Sequence, residues 1–161
     1  MKICHTEAMK LIKELEQQKS VVLRKEADNY SISYKEGEEK LKTDYSYLET
    51  RKEIASLDKK IRTLKTLLAI ANTKVIIDDF NITIGEALVY LAQLQKEKSE
   101  LEYLGSKQQL TRRSTPNGVI EYTECVYDVN KVNEDILVIR KKINDLQIAI
   151  DRANLTSYIE Y

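Results

Sequence analysis

Positions 129, 132, 136, 139, 143, 146, 150 and 153 hold Val, Val, Ile, Ile, Ile, Leu, Ile and Ala. Apolar residues at alternating steps of three and four, without a polar interruption, form the seam of a long helix packed on a partner helix. A strand would show period two, and a helix standing alone in water has no use for such a stripe. The spacing recurs at 47, 50, 54, 57, 61, 64, 68 and 71, occupied by Tyr, Thr, Ile, Leu, Ile, Leu, Leu and Ala. One Pro and four Gly in 161 residues offer few places to interrupt helices, so the chain reads as all-α.

Two further helices are expected over 6–27 and 84–109. Their seams are weaker, with Met9, Ile12, Leu15 and Val22 in the first and Ala87, Leu91, Leu94 and Leu101 in the second. Lys19 and Lys98 take equivalent seam positions, where a long stem can lie on apolar surface while the ammonium reaches water. Thr83 and Glu86 have the spacing of a capping box, which marks the start of the 84–109 helix. Both long seams end on the same step, Ala71-Asn72 and Ala153-Asn154. A small last seam residue followed by Asn, which tolerates left-handed backbone, reads as a helix stop with an extended exit.

The chain also resembles itself. "KICHTEAMKLIKELEQQKS" superposes on "NITIGEALVYLAQLQKEKS" at an offset of 79, and "IASLDKKIRTLKTLLAIAN" on "ILVIRKKINDLQIAIDRAN" at an offset of 82, with seven identities in nineteen. Paired Lys59-Lys60/Lys141-Lys142, Ser20/Ser99 and the Ala-Asn steps lie off the seam or at its end, so they argue for duplication beyond shared heptad composition. The expected organisation is one helical domain over 1–161. Repeat 1 spans about 1–72, an extended linker 73–82, repeat 2 about 83–154, and a C-terminal tail 155–161. Within each repeat two helices fold back on one another, giving an antiparallel four-helix bundle from two tandem hairpins. The connectors contain β-prone runs, Tyr30-Ile32-Tyr34 in one and Val119 to Tyr127 after a Pro116-Asn117-Gly118 turn in the other. They are expected to pair with each other as a small sheet near one end of the bundle, with Val75–Ile77 and Thr156–Ile159 at the other.

Charge and composition narrow the function classes. Basic and acidic residues number 26 each and are interspersed, so no strong electrostatic pull toward nucleic acid or an anionic membrane is expected. Cys4 and Cys125 have no metal-type spacing and read as free thiols in a reducing compartment. With no apolar leader and no apolar run near the roughly 18–20 residues of a spanning helix, the expected location is the cytoplasm.

No catalytic, cofactor-binding or metal-binding residue is assigned, and the chain is read as no enzyme. His5, the one histidine, is expected at a helix start, exposed or capping, and a metal cluster or Ser-His-Asp arrangement needs more than it offers. Glu97 and Glu100 form one ExxE pair, the germ of a carboxylate-based metal-dependent hydrolase, but an exposed face of helical ion pairs accounts for them. Glu36, Glu38 and Glu39 around Gly37 read as a solvated acidic loop rather than a cation site. Arg112 and Arg113, with Tyr122 and Tyr127 nearby, offer a single-stranded nucleic-acid site diluted by Glu121, Glu124 and Asp128.

The residues "MKI...EAMKLIKELE", "YKEGEE", "AN" followed by Thr73, "IGEALVYLAQLQKEKSELE", "IEYTECVYDV" and "IDRANLTSYIE" together resemble a family of small uncharacterised bacterial coiled-coil proteins, some labelled septicolysin. The resemblance covers nearly the whole chain and rests on helix starts, stops and seams. The label implies a membrane-lytic protein, yet amphipathic faces of this kind are explained by a bundle core. The reading from sequence is a non-enzymatic coiled-coil scaffold or interaction protein, homo-oligomeric or bound to a helical partner, with metal-dependent hydrolysis, membrane lysis and single-strand binding as alternatives.

Overall fold

The computed structural model describes residues 2–40 and 42–161. Met1 of the opening motif and Leu41 of the first connector lie outside the described residues. Along the chain run β1 (Lys2–Cys4), α1 (His5–Asn29), α2 (Tyr47–Asn72), β2 (Ile76–Ile77), β3 (Ile82–Thr83), α3 (Ile84–Gly105), β4 (Leu110–Ser114), β5 (Ile120–Glu124), α4 (Val129–Thr156) and β6 (Tyr158–Glu160). The protein is mostly helical, with four helices and three small antiparallel strand pairs, β1–β6, β2–β3 and β4–β5, among the described residues. It divides into two compact units, one made of the chain up to Lys74 with Asn154–Tyr161, the other Val75–Ala153.

In the first unit α1 and α2 pack antiparallel. Lys19 Nζ meets Asp58 Oδ1 at 2.7 Å, and one heptad further along α1 and one heptad back along α2, Glu26 pairs with Arg51. Buried Ile12 and Leu15 of α1 face Leu57, Ile61 and Leu64 of α2, so the middle of each seam read from sequence lies in the core, whereas Met9 and Tyr47 of those seams are exposed. Ser46 starts α2 by accepting the Glu49 N–H on its hydroxyl. At the other end β1 pairs with β6, with Ile3 opposite Ile159 and Cys4 opposite Tyr158, and both isoleucines are buried.

The second unit repeats this arrangement. Arg140 of α4 reaches Glu102 of α3 at 2.7 Å, and a Cβ on Gly105 would stand 2.6 Å from Asn133 Oδ1 and 3.0 Å from Ile136 Cδ1. The two helices are therefore antiparallel and approach closely where α3 ends. Ala87, Leu91 and Leu94 of α3 are buried with Ile139, Leu146 and Ile150 of α4. β2 pairs with β3, Ile77 opposite Ile82 and Ile76 opposite Thr83. The stretch read as an extended linker thus holds a strand, a turn and the start of the next strand. Asn81 in that turn, at φ 52°, is the only non-glycine residue with positive φ among the described residues.

Three expectations are corrected. The two connectors do not pair with each other: β4 and β5 both lie in the second connector and form their own hairpin, closed by the Pro116-Asn117-Gly118 turn with Gly118 at φ 76°. A local hairpin closes a shorter loop than a pairing between distant connectors, and so costs less entropy. Helix α3 ends at Gly105, not 109. Ser106 donates its hydroxyl to Tyr103 O, and Gln109 turns away to bond Cys125 O and the Val129 N–H. Asn72 and Asn154 are not left-handed stops. The residue after Asn72, Thr73, is right-handed at φ −85° and bonds Ile70 O with its N–H and its hydroxyl, while α4 runs two residues past Asn154.

Candidate functional site

His5 differs most from its expected setting. It is 1% exposed. Its backbone N–H donates to Ser157 O at 3.2 Å and its ring Nδ1 lies 3.1 Å from the same oxygen, which places the Nδ1 proton toward Ser157. Nε2 is buried without a partner. The histidine thus clasps the strand pair β1–β6 to the start of α1.

The carboxylate candidates do not converge. Glu97 and Glu100 are both exposed on α3, and Glu100 pairs with Lys96 at 3.8 Å. Glu38 closes its own loop by accepting the Lys35 N–H, with Gly37 at φ 86° making the turn. Among the described residues no group of three or more His, Cys, Asp or Glu side chains is placed to hold a metal ion. Cys4 and Cys125 are free thiols, Cys4 buried.

Arg112 and Arg113 sit next to each other on β4 and so point to opposite faces of the hairpin. Arg112 lies opposite Tyr122 and Arg113 opposite Glu121. One cation beside one ring, with the second cation facing a carboxylate, is a thin basis for tracking a phosphate backbone. Tyr127 is occupied elsewhere, donating its hydroxyl to Leu104 O at 3.0 Å. Desolvation, then contact with Cys125, raises its pKa above the ordinary tyrosine value.

A cleft of about 750 Å³ lies in the first unit between the end of α1 and the start of α2, with Lys25, Asp28, Lys42, Asp44, Glu49 and Glu53 on its walls. Its charges are mixed, as on an ordinary solvated surface. Next to it Tyr45 donates to Glu26 at 2.9 Å, and Glu26 also takes Arg51. Sequence reading did not find this cluster, although setting Lys19 opposite Asp58 carries Glu26 onto Arg51 one heptad later. Lys19 and Lys98 are each about one-third exposed, as expected of stems on apolar surface, but their ammonium groups meet Asp58 and Glu102 rather than water alone. Glu102 also accepts from Arg140, and that hydrogen bond, followed by the charge of Lys98, holds its carboxyl below the usual range.

No protein-family model matches the chain, and no curated protein matches it. The fold is similar to the crystal structure of a functionally unknown conserved protein from Corynebacterium diphtheriae, with a TM-score of 0.70 over 99% of this chain and 100% of that one. At 16% identity the likeness is one of fold. No helix among the described residues is long and apolar enough to cross a membrane.

Proposed function

We propose that this protein is a non-enzymatic, cytoplasmic scaffold or interaction protein that works as an assembly, and that its two helical hairpins descend from one duplicated unit. The observation that carries the assembly reading is surface. The chain exposes 12317 Å². A compact monomer of 18.7 kDa would expose about 8,300 Å², and even two separate compact bodies of half that mass roughly 10,000 Å² together. The two units are thus each more open than a compact body of the same mass. It follows from each helix burying one stripe and leaving its outer side open, with Leu88, Val89, Leu137, Val138 and Ile148 exposed. The antiparallel four-helix bundle read from sequence belongs to the same proposal, since hairpins with one buried seam reach four-helix packing by covering those outer sides.

Duplication is supported by register. Ile3 opposite Ile159 corresponds, through offsets 79 and 82, to Ile82 opposite Ile77, and Cys4 opposite Tyr158 to Thr83 opposite Ile76. The His5 N–H to Ser157 O bond corresponds likewise to Ile84 N–H to Val75 O at 3.0 Å. Kinship with the septicolysin-labelled family stands as part of the proposal. Light scattering at tens of micromolar tests the assembly reading: a mass of two or more chains is expected. A strict monomer that captures no partner in a pull-down would sink it.

A further inference from the structure

All residues of β4 and β5 are exposed, yet the ribbon they form has two unlike sides. Directly opposed residues share a face, and faces alternate along each strand. The register therefore gathers Leu110, Arg112, Ser114, Ile120, Tyr122 and Glu124 on one side, and Thr111, Arg113, Glu121 and Thr123 on the other. The first side holds every large apolar residue of the two strands, with Leu110 55%, Ile120 44% and Tyr122 62% exposed. Alternation of this kind belongs to sheets with one covered face. A two-stranded ribbon covered on neither face is marginal in water.

The charges on the apolar side indicate what covers it. Arg112 and Glu124 both stand there, and neither has an ion-pair partner among the described residues. One free cation and one free anion beside an apolar patch make a surface complementary to itself. A second copy related by a twofold axis sets each Arg112 against the other copy's Glu124, with the Leu110, Ile120 and Tyr122 patches between them. A nucleic acid would gain nothing from Glu124, and a partner of one charge sign would meet repulsion from one of the two.

We infer that the apolar side of the β4–β5 ribbon is a docking surface for a second copy of this chain, paired Arg112 to Glu124 in both directions. The inference rests on the assembly reading above and names the surface that serves it. Three large side chains per copy make less than a standard interface, so a weak, reversible contact is expected.

Sedimentation equilibrium of the full chain from about 1 to 500 micromolar tests it, using wild type, Arg112→Glu, Glu124→Arg, the double swap, and Arg113→Glu on the opposite side. Each single reversal on the apolar side is expected to weaken self-association by about tenfold or more, because the contact occurs twice. The double swap restores it, and Arg113→Glu leaves it unchanged. Circular dichroism below the concentrations at which the wild type associates is expected to show the same helicity and melting temperature throughout, since every altered residue is exposed. Association that is indifferent to the single reversals, or not restored by the swap, overturns this surface and leaves the assembly reading standing. A wild type that stays monomeric over the whole range overturns this surface, and the assembly reading with it where the chain also captures no partner; a monomer that uses Arg112 to bind an oligonucleotide or a different protein overturns this surface alone.

Discussion

At the scale of single residues, the two units explain each other. His5 is buried where the second unit has Ile84, and both are 1% exposed. Aligned at the offset of 79 the two residues coincide, so the self-similarity of the sequence already set His5 against an apolar residue. Reading its local sequence alone, as a polar residue at a helix start, hid this. Ser157 O already accepts the His5 backbone N–H, so His5→Ile keeps that bond and removes the unpartnered Nε2. Replacing a poorly satisfied buried polar group by an apolar one of similar size is nearly neutral or stabilising. A urea titration is expected to place His5→Ile within about 1 kcal/mol of wild type or above it; a loss beyond about 2 kcal/mol would mean that the ring bond to Ser157 is the clasp. Leu64 and Leu146 form a second matched pair, each fully buried. Truncating either to Ala leaves a cavity costing about 3–5 kcal/mol. Similar losses for the two variants are expected, and a several-fold inequality would count against equivalent cores.

At the scale of elements, helix starts and seams were legible because they depend on local spacing. The α3 start shows it: Thr83 Oγ1 accepts the Glu86 N–H at 3.1 Å, and Glu86 Oε2 accepts the Thr83 N–H at 2.8 Å. The bond from the Thr83 backbone, and then that from its hydroxyl, lowers the Glu86 pKa from its ordinary 4.5. A carboxylate whose pKa is lower folded than unfolded adds stability above the unfolded value, and that stability is lost as pH falls through the folded one. Thr83→Ala is accordingly expected to cost about 1 kcal/mol at neutral pH. The gap in melting temperature between wild type and variant should narrow toward pH 3, and an unchanged gap would show that the Thr83 hydroxyl takes no part in holding the Glu86 carboxylate. What was not legible was where strands find partners. Tyr30, Ile32 and Tyr34 alternate like a strand but stay irregular, because pairing depends on which edge is near, and periodicity carries no information about that. The β4–β5 hairpin was half legible: its turn and second strand stood out, whereas "LTRRS" has too little apolar content to read as a strand.

For the whole molecule, the proposed duplication makes a prediction about the strand pairs. Under that proposal each unit takes its paired strands from both copies: β1 would open the first copy and β6 close the second, while β3 would open the second and β2 close the first. Four residues, Asp78 to Asn81, connect Ile77 to Ile82 across β2–β3. If residue 161 were joined directly to residue 1, four residues would likewise separate Ile159 from Ile3: Glu160, Tyr161, Met1 and Lys2. The first unit then needs no linker to acquire the hairpin that the second already has. A circular permutant that fuses 161 to 1 and opens the chain between Asp79 and Phe80 should therefore fold. Its cut costs the Arg152–Asp79 ion pair at most a surface contribution of about 0–1 kcal/mol. Closing the β1–β6 loop in exchange removes conformational freedom from the unfolded chain. Far-ultraviolet circular dichroism and a thermal melt provide the measurement, with helicity equal to wild type and a melting temperature within a few degrees expected. A permutant that is unfolded or molten would show that the two strand pairs, alike in register, are not interchangeable as connections, and would weaken the case for duplication.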